Sequence, residues 1–393
     1  MTSSPTPPLR LVANLIAQIA FGLIAMTICL PSMPDWSARF HADQAAVQLT
    51  FSAYVIAYGG LGVFYGPLSD RHGRRRILLV GLAVAAAGSL LGALATDLPT
   101  LIAARLLQGA GSGAGLVAGR ASVQDLFQGP QRTRVMAYVG MVMGLCPPAA
   151  TLIGGQLHER LGWHANFLLV LVLAMVLWLA AWRGLPAARP TVPAGSHWLR
   201  DMGAAYRRLL GEPAFVLNVA ILAFTVAAFY AFLSGAPLVL HSQGVGPAQV
   251  GWYIMQVPLS YVVGNFAASR WAHRLGERRL MALGQGLTLG GITVLLALGL
   301  AGVRHPLAFS MPLMLLGVGH GLLVPACLAR TVGLVPAMAG AAAAVAGLCQ
   351  QLTGALGGYA VGWVSHQGPV NLGWLMLGFT LMAVAAQAVV NRR

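Results

Sequence analysis

Long apolar runs, separated by short polar stretches, make up most of this chain. A helix needs about 20 apolar residues to cross the roughly 30 Å hydrocarbon core of a bilayer. Windows of this length occur twelve times and predict twelve membrane-spanning helices, numbered here as spans one to twelve. The spans cover approximately residues 11–30, 46–66, 77–97, 100–121, 134–156, 163–183, 213–234, 247–270, 278–301, 306–329, 338–362 and 369–390.

The composition favours a membrane protein. Only 8% of the residues are charged and 58% are hydrophobic, whereas soluble domains carry about 25% charged residues. The net charge of +15 comes from arginines in the gaps between apolar runs, so we do not expect nucleic acid as a partner. The four cysteines lie inside apolar runs without paired spacing, which favours buried side chains over a disulfide or a metal site.

One long polar segment divides the spans into two sets of six. We predict an N-terminal six-helix bundle at 1–183, a cytoplasmic linker at 184–212 and a C-terminal six-helix bundle at 213–393. The sequence "DRHGRRRILLVG" after span two is echoed by "HRLGERRLMALG" after span eight, with Gly73 aligned to Gly276. The predicted fold is therefore an all-α integral membrane protein in which pseudo-twofold symmetry relates the two bundles.

Arginine is unequally distributed between alternate loops. With a cytoplasmic N-terminus, the inner side carries 19 arginines and the outer side 3. Because arginine-rich loops stay in the cytoplasm, we expect both termini to be cytoplasmic, in a bacterial inner membrane. The first apolar run is longer than the roughly 7–15 residues of a signal-peptide core and lacks a clear cleavage site, so we interpret it as a retained span.

The turn "GPLSDRHGRRR" matches the loop motif G-x-L-x-D-R-x-G-R-R, and on this motif the chain resembles the major facilitator superfamily. Asp70 lies at the C-terminal end of span two, where nearby arginines or a helix N-terminus would compensate its charge. Such a charge lock could hold the two halves together in an outward-open state. The alternative is that the arginines only anchor the topology. The gating residues predicted in this turn are Gly66, Asp70, Arg71, Gly73, Arg74 and Arg75.

Spans four and five carry two further motifs. "LIAARLLQGAGSGAG" resembles the arginine motif of the superfamily, and Arg105 is a functional candidate because a membrane-embedded arginine must face protein or water. Its alternative is a structural hydrogen bond to carbonyls of span one. "GMVMGLCPPAATLIGG" resembles the antiporter motif, which implies efflux by exchange. Its predicted gating residues are Gly140, Gly144, Pro147, Pro148, Gly154 and Gly155.

Finer features, including "CLPSMP", "LGWHANF" and "FYAFLSGAPLVL", resemble the Bcr/CflA-type drug:proton antiporters along nearly the whole chain. That family usually has a carboxylate in span one, where this sequence has Thr27. The resemblance therefore implies proton-coupled drug export, while the missing acid lowers the expectation of cationic substrates. It favours neutral or anionic compounds.

The proton carrier must then lie elsewhere. We predict Asp125, Asp70 or His320 as coupling residues, since histidine titrates near neutral pH. The alternatives are a neutral, hydrogen-bonded His320 and a complete loss of coupling. We expect a substrate pocket between the halves, although each polar side chain could instead join neighbouring helices. The predicted pocket residues are Gln18, Thr27, Tyr54, Tyr58, Arg105, Gln108, Tyr230, Gln256, His320 and Gln350.

These features predict a secondary transporter that exports small drug-like compounds by alternating access in exchange for protons. The alternatives are a specific metabolite transporter and an uncoupled facilitator. The sequence has no nucleophile motif, phosphate-binding loop or metal-ligand spacing, so we expect no enzymatic activity, no cofactor and no metal. Small-molecule substrates, protons and the lipid bilayer are the expected partners, and the resemblance implies a monomer.

Overall fold

The computed structural model describes residues 9–186, 198–335 and 338–392, and within these ranges the chain consists of helices and turns. The α-helices follow one another as α1 (Leu9–Thr27), α2 (Met33–Phe40), α3 (Gln44–His72), α4 (Arg74–Ala93), α5 (Leu98–Leu126), α6 (Gly129–Leu161), α7 (His164–Gly184), α8 (Trp198–Leu210), α9 (Pro213–Ser242), α10 (Pro247–Ile254), α11 (Gln256–Leu300), α12 (Pro306–Gly333), α13 (Ala339–Ala360) and α14 (Pro369–Arg392).

In the described part of the chain, 11 helical segments are long and apolar enough to cross a membrane. The predicted all-helical membrane fold is therefore confirmed. The remaining predicted span, 247–270, is divided between α10 and the start of α11. The break falls at Met255, three residues before Pro258, which has no N–H to donate to the carbonyl of Ile254.

Glycines with positive φ form the two charged turns. Gly73, at φ 88°, separates α3 from α4, and Gly276, at φ 73°, lies at a kink inside α11. Residues with a Cβ are disfavoured at positive φ, so glycine is the residue best suited to both turns. Helix α11 therefore contains most of predicted span eight before the kink and predicted span nine after it.

Two helices were not predicted from the hydrophobic pattern. Helix α2 is only 8 residues long, too short to register as a span, and it buries Trp36 against Trp163 with ring centroids 5.7 Å apart. Helix α8 lies within the predicted linker, of which residues 187–197 are outside the described residues. It buries Leu209 while Arg207 and Arg208 stay exposed.

The two halves meet most closely at one end of the molecule. Helix α3 packs on α13, and α6 packs on α10 and α11. We call the end at which α3 begins the arginine-poor end, and the end at which α3 reaches the charged turn the arginine-rich end. At the arginine-poor end, a Cβ on Gly362 would strike Ala45, and a Cβ on Gly155 would strike the carbonyl of Pro247. Backbones of opposite halves are in direct contact there.

The halves separate toward the arginine-rich end. A Cβ on Gly140, Gly340 or Gly347 would meet no atom within 4 Å. A Cβ on Gly66 would meet only Val117 of its own half, at 4.0 Å. A space between the halves, called here the cleft, therefore opens toward the arginine-rich end and is closed at the arginine-poor end.

Candidate functional site

Three residues with polar side chains lie at mid-height, where the cleft ends. The Tyr230 hydroxyl donates to Gln351 Oε1 at 3.0 Å, and the side chain of Gln351 packs directly on Gly59 of the opposite half. The neighbouring Tyr58 hydroxyl is buried and has no hydrogen-bond partner among the described residues. We call Tyr58, Tyr230 and Gln351 the central cluster. It presents hydroxyl, amide and aromatic groups without a carboxylate.

The predicted pocket residue Tyr230 thus bonds to an amide that packs on Gly59, the residue after Tyr58, and this amide belongs to Gln351 and not to the predicted Gln350. Successive residues of a helix point about 100° apart, so only one of two adjacent glutamines can face the opposite half. Gln350 is half-buried on another face of α13. The sequence predicted a glutamine at this level of α13 but could not show whether Gln350 or Gln351 faces the cluster.

Arg105 is buried, with 1% of its surface exposed. Its Nη1 donates to the Ala25 carbonyl at 2.8 Å, its Nη2 to the Met26 carbonyl at 3.2 Å, and its Nε to the Thr50 carbonyl at 3.3 Å. These bonds join α5 to α1 and α3. The carbonyls of span one are the partners that the structural alternative for Arg105 required.

The neighbours of Arg105 extend this buried network. Nη1 of Arg105 also donates to Gln108 Oε1, and Gln108 Nε2 donates to Ser89 Oγ at 2.8 Å. The ring of Tyr54 lies beneath the guanidinium, and its hydroxyl donates to the Gly22 carbonyl at 2.7 Å. All three predicted pocket residues therefore contact other helices of their own half.

Gln18 and Thr27 are also fully buried. Gln18 Nε2 donates to the Leu177 carbonyl of α7 at 2.9 Å. Thr27 Oγ1 donates to the Leu23 carbonyl at 2.9 Å and lies 3.4 Å from the Pro147 carbonyl of α6. The position where the resemblance led us to expect a carboxylate is thus occupied by a hydroxyl that bonds to backbone.

His320 lies inside the second half and not in the cleft. It borders a cavity of about 10 Å³, and its ring is 6.2 Å from that of Phe229. The other lining residues are Thr225, Gln285, Thr288, Leu323, Thr380 and Ala383. The sequence could not show this position, because it depends on how α9, α11, α12 and α14 pack. Gln256, half-buried at the start of α11, keeps a buried Oε1 without a described partner.

Arg74 and Arg75 of the charged turn contact residues of the first half. Arg74 pairs with Asp70, and its Nε lies 3.0 Å from Asp125 Oδ2. Arg74 Nη1 also donates to Ser69 Oγ at 2.5 Å, while Arg75 donates to the Trp182 carbonyl of α7. The predicted coupling residues Asp70 and Asp125 therefore share one arginine at the arginine-rich end of the molecule.

The predicted gating residues of α6 differ in their surroundings along the helix. A Cβ on Gly144 would contact Val262 of the second half, and one on Gly154 would strike the carbonyl of Ile28, the residue after α1. Gly140 has open space around it. Helix α6 continues through Pro147 and Pro148 without interruption. The glycine contacts show that its arginine-poor part packs closely on neighbouring segments, whereas its arginine-rich part borders the cleft.

Other acids have structural partners away from the cleft. Asp43 caps α3 by accepting from the Ala46 N–H at 2.7 Å, and Asp97 caps α5 by accepting from the Thr100 N–H at 2.8 Å. Asp35 lies 2.8 Å from His158 at the arginine-poor end. Within the described residues, no group of three His, Cys, Asp or Glu side chains could hold a metal ion.

The sequence profile of the Major Facilitator Superfamily matches residues 15–358 and, in a second match, 236–392. The chain belongs to this superfamily. It is thus a multi-pass membrane transporter and not an enzyme, and the family expected from the charged turn is confirmed.

Relatives within the Major Facilitator Superfamily have names that refer to drug resistance. The chain is 28% identical over 384 residues to the multidrug resistance protein D of Escherichia coli, covering 95% of this chain and 94% of that protein. It is 28% identical over 318 residues to a chloramphenicol resistance protein of Pseudomonas aeruginosa, covering 79% and 74%. It is 26% identical over 273 residues to the multidrug transporter MdfA of Yersinia pestis, covering 69% and 66%.

Proposed function

We propose that this transporter exports small drug-like organic compounds, neutral or anionic, across a bacterial inner membrane in exchange for protons. The central cluster carries the proposal. Tyr58, Tyr230 and Gln351 offer hydrogen bonds and aromatic surface at the inner limit of the cleft, and no carboxylate is among them. Such a site suits compounds that combine aromatic rings with neutral polar groups. The drug-resistance relatives support the same substrate class.

Alternating access accounts for the arrangement of the halves. The predicted N-terminal bundle at 1–183 and the C-terminal bundle at 213–393 would rock about the central cluster, as in other transporters built from repeats. With both termini cytoplasmic, the cleft opens to the cytoplasm and receives substrate from there. The glycine contacts at the arginine-poor end would separate to release substrate outside. We propose that a monomer performs this cycle.

Proton coupling is proposed to act through the carboxylates on Arg74. Asp70 and Asp125 both contact this arginine. Protonation of either acid would weaken its ion pair with Arg74, which could then form other hydrogen bonds when the halves move. His320, buried in the second half, is the other candidate. It would have to exchange protons through the small cavity beside Gln285 and Thr288.

The test is transport in proteoliposomes under an imposed pH gradient, with neutral, anionic and cationic compounds and simultaneous measurement of proton movement. Gradient-driven export of neutral or anionic compounds, with protons moving in the opposite direction, would support the proposal. Asp70→Asn, Asp125→Asn and His320→Gln would then identify the carrier. Substrate movement that ignores the gradient would indicate an uncoupled facilitator. Transport of a single metabolite and of none of the drugs would contradict drug export.

A further inference from the structure

Arg120 is the second arginine inside span four, and its surroundings differ from those of Arg105. It lies on α5, six residues before the helix ends at Leu126, and its side chain is exposed. One helical turn before it, Val117 faces Gly62 and Gly66 at the side of the cleft. An exposed guanidinium within a span requires water or protein around it, and the cleft provides both.

The groups around Arg120 leave its charge uncompensated. Its one described hydrogen bond is from Nη2 to the Sδ of Met143, at 3.2 Å, and a thioether is a weak acceptor. No described carboxylate forms an ion pair with it. By contrast, Arg105 has backbone carbonyls or a side-chain amide for each of its guanidinium nitrogens.

Arg120 also lies between the two halves. Its hydrogen-bond partner is Met143 of α6, and the residue after Met143 faces Val262 of the second half. On the other side, Val117 lies one turn before Arg120 and faces Gly62, which lies one turn after Tyr58 on α3. Tyr58 belongs to the central cluster, and its hydroxyl is buried without a described partner. An uncompensated cation and an unused hydroxyl therefore border the same part of the cleft, where a compound held by the central cluster would lie.

We propose that Arg120 binds the anionic group of carboxylate- or sulfonate-bearing substrates, with the Tyr58 hydroxyl as a second hydrogen-bond donor. The planar guanidinium can donate two parallel hydrogen bonds to either group. The aromatic body of the compound would extend to Tyr230 and Gln351. This inference rests on the proposed export of organic compounds, and it names Arg120 as the residue that recognises the anionic ones.

The test compares two fluorescent compounds that share a ring system, anilinonaphthalene sulfonate and the uncharged N-phenylnaphthylamine. Binding is measured by calorimetry on the protein in lipid nanodiscs, with empty nanodiscs as the blank, and transport is measured in proteoliposomes. We expect Arg120→Gln to weaken sulfonate binding about 10-fold or more, as for loss of a charge-assisted hydrogen bond, and to leave N-phenylnaphthylamine unchanged. Arg120→Lys should retain part of the sulfonate affinity.

Arg183→Gln is the matched control, because it removes the same charge from α7, which packs on α1 and α4 of its own half. It should change neither compound. Equal losses for both compounds in Arg120→Gln would overturn the inference and make Arg120 structural. An unchanged sulfonate affinity would also overturn it. If the unsubstituted protein binds both compounds but transports neither, the proposed export fails, while the binding comparison still decides the role of Arg120.

Discussion

The guanidinium carbon of Arg105 lies 4.2 Å from the centroid of the Tyr54 ring. This stacking, together with the carbonyls of Ala25 and Met26, holds α1, α3 and α5 around one buried charge. The contact explains how a span can contain an arginine that does not reach the cleft. It also predicts that Arg105 and Arg120 respond differently to substitution.

We expect Arg105→Ala to lower thermal stability and to reduce the transport of every substrate alike. The substitution leaves several buried carbonyls without donors, at about 1–3 kcal/mol for each unsatisfied group. Thermal unfolding in detergent and export of a neutral and an anionic compound would be measured together. A stable Arg105→Ala protein with an altered substrate profile would instead show that Arg105 contacts substrate.

Substitution of Asp70 tests the charged turn. Asp70→Asn removes a charged partner of Arg74, and we expect export to fall by roughly tenfold, the effect of one charge-assisted hydrogen bond, while the protein remains in the membrane. Glu159→Gln, an exposed acid near the arginine-poor end, is a control for loss of one negative charge. Full export by Asp70→Asn would contradict the lock and leave only topology anchoring.

Glycine substitutions on α6 test the closure at the arginine-poor end. Gly155→Leu should prevent the approach of Pro247, because the added side chain would overlap its backbone, and overpacking of this kind costs about 1–3 kcal/mol. Gly140→Leu adds the same side chain to the same helix where no atom lies within 4 Å. We expect export to be lost in the first variant and kept in the second, as measured in proteoliposomes. Similar losses in both would argue for a general effect on α6.

The absence of a carboxylate from the central cluster can be reversed. Gln351→Glu places an acid beside Tyr230, and we expect it to allow export of a lipophilic cation such as tetraphenylphosphonium. Gln350→Glu adds the same charge one residue away, on a face of α13 that does not contact Tyr230. Cation export in the Gln350 variant alone would place the substrate site on the other face of α13.

Much of this transporter could be predicted from local patterns. Apolar length identified the spans, and the charged turn identified the family, because both depend on consecutive residues. Gly73 and Gly276 were aligned by sequence, and each has the positive φ that its turn requires. The division of span eight at Met255 and the short helix α2 were missed, since hydropathy records neither a lost backbone hydrogen bond nor an 8-residue element.

The sequence by itself determined the number of apolar segments, the unequal distribution of arginine and the presence of two arginines in span four. Only the tertiary structure decided what those arginines contact. Arg105 and Arg120 are the same residue type in one helix, but neighbouring helices surround the first with carbonyls and leave the second exposed beside the cleft. The same holds for Gln350 and Gln351. Side-chain partners across helices depend on rotation and packing, which no local pattern in one chain specifies.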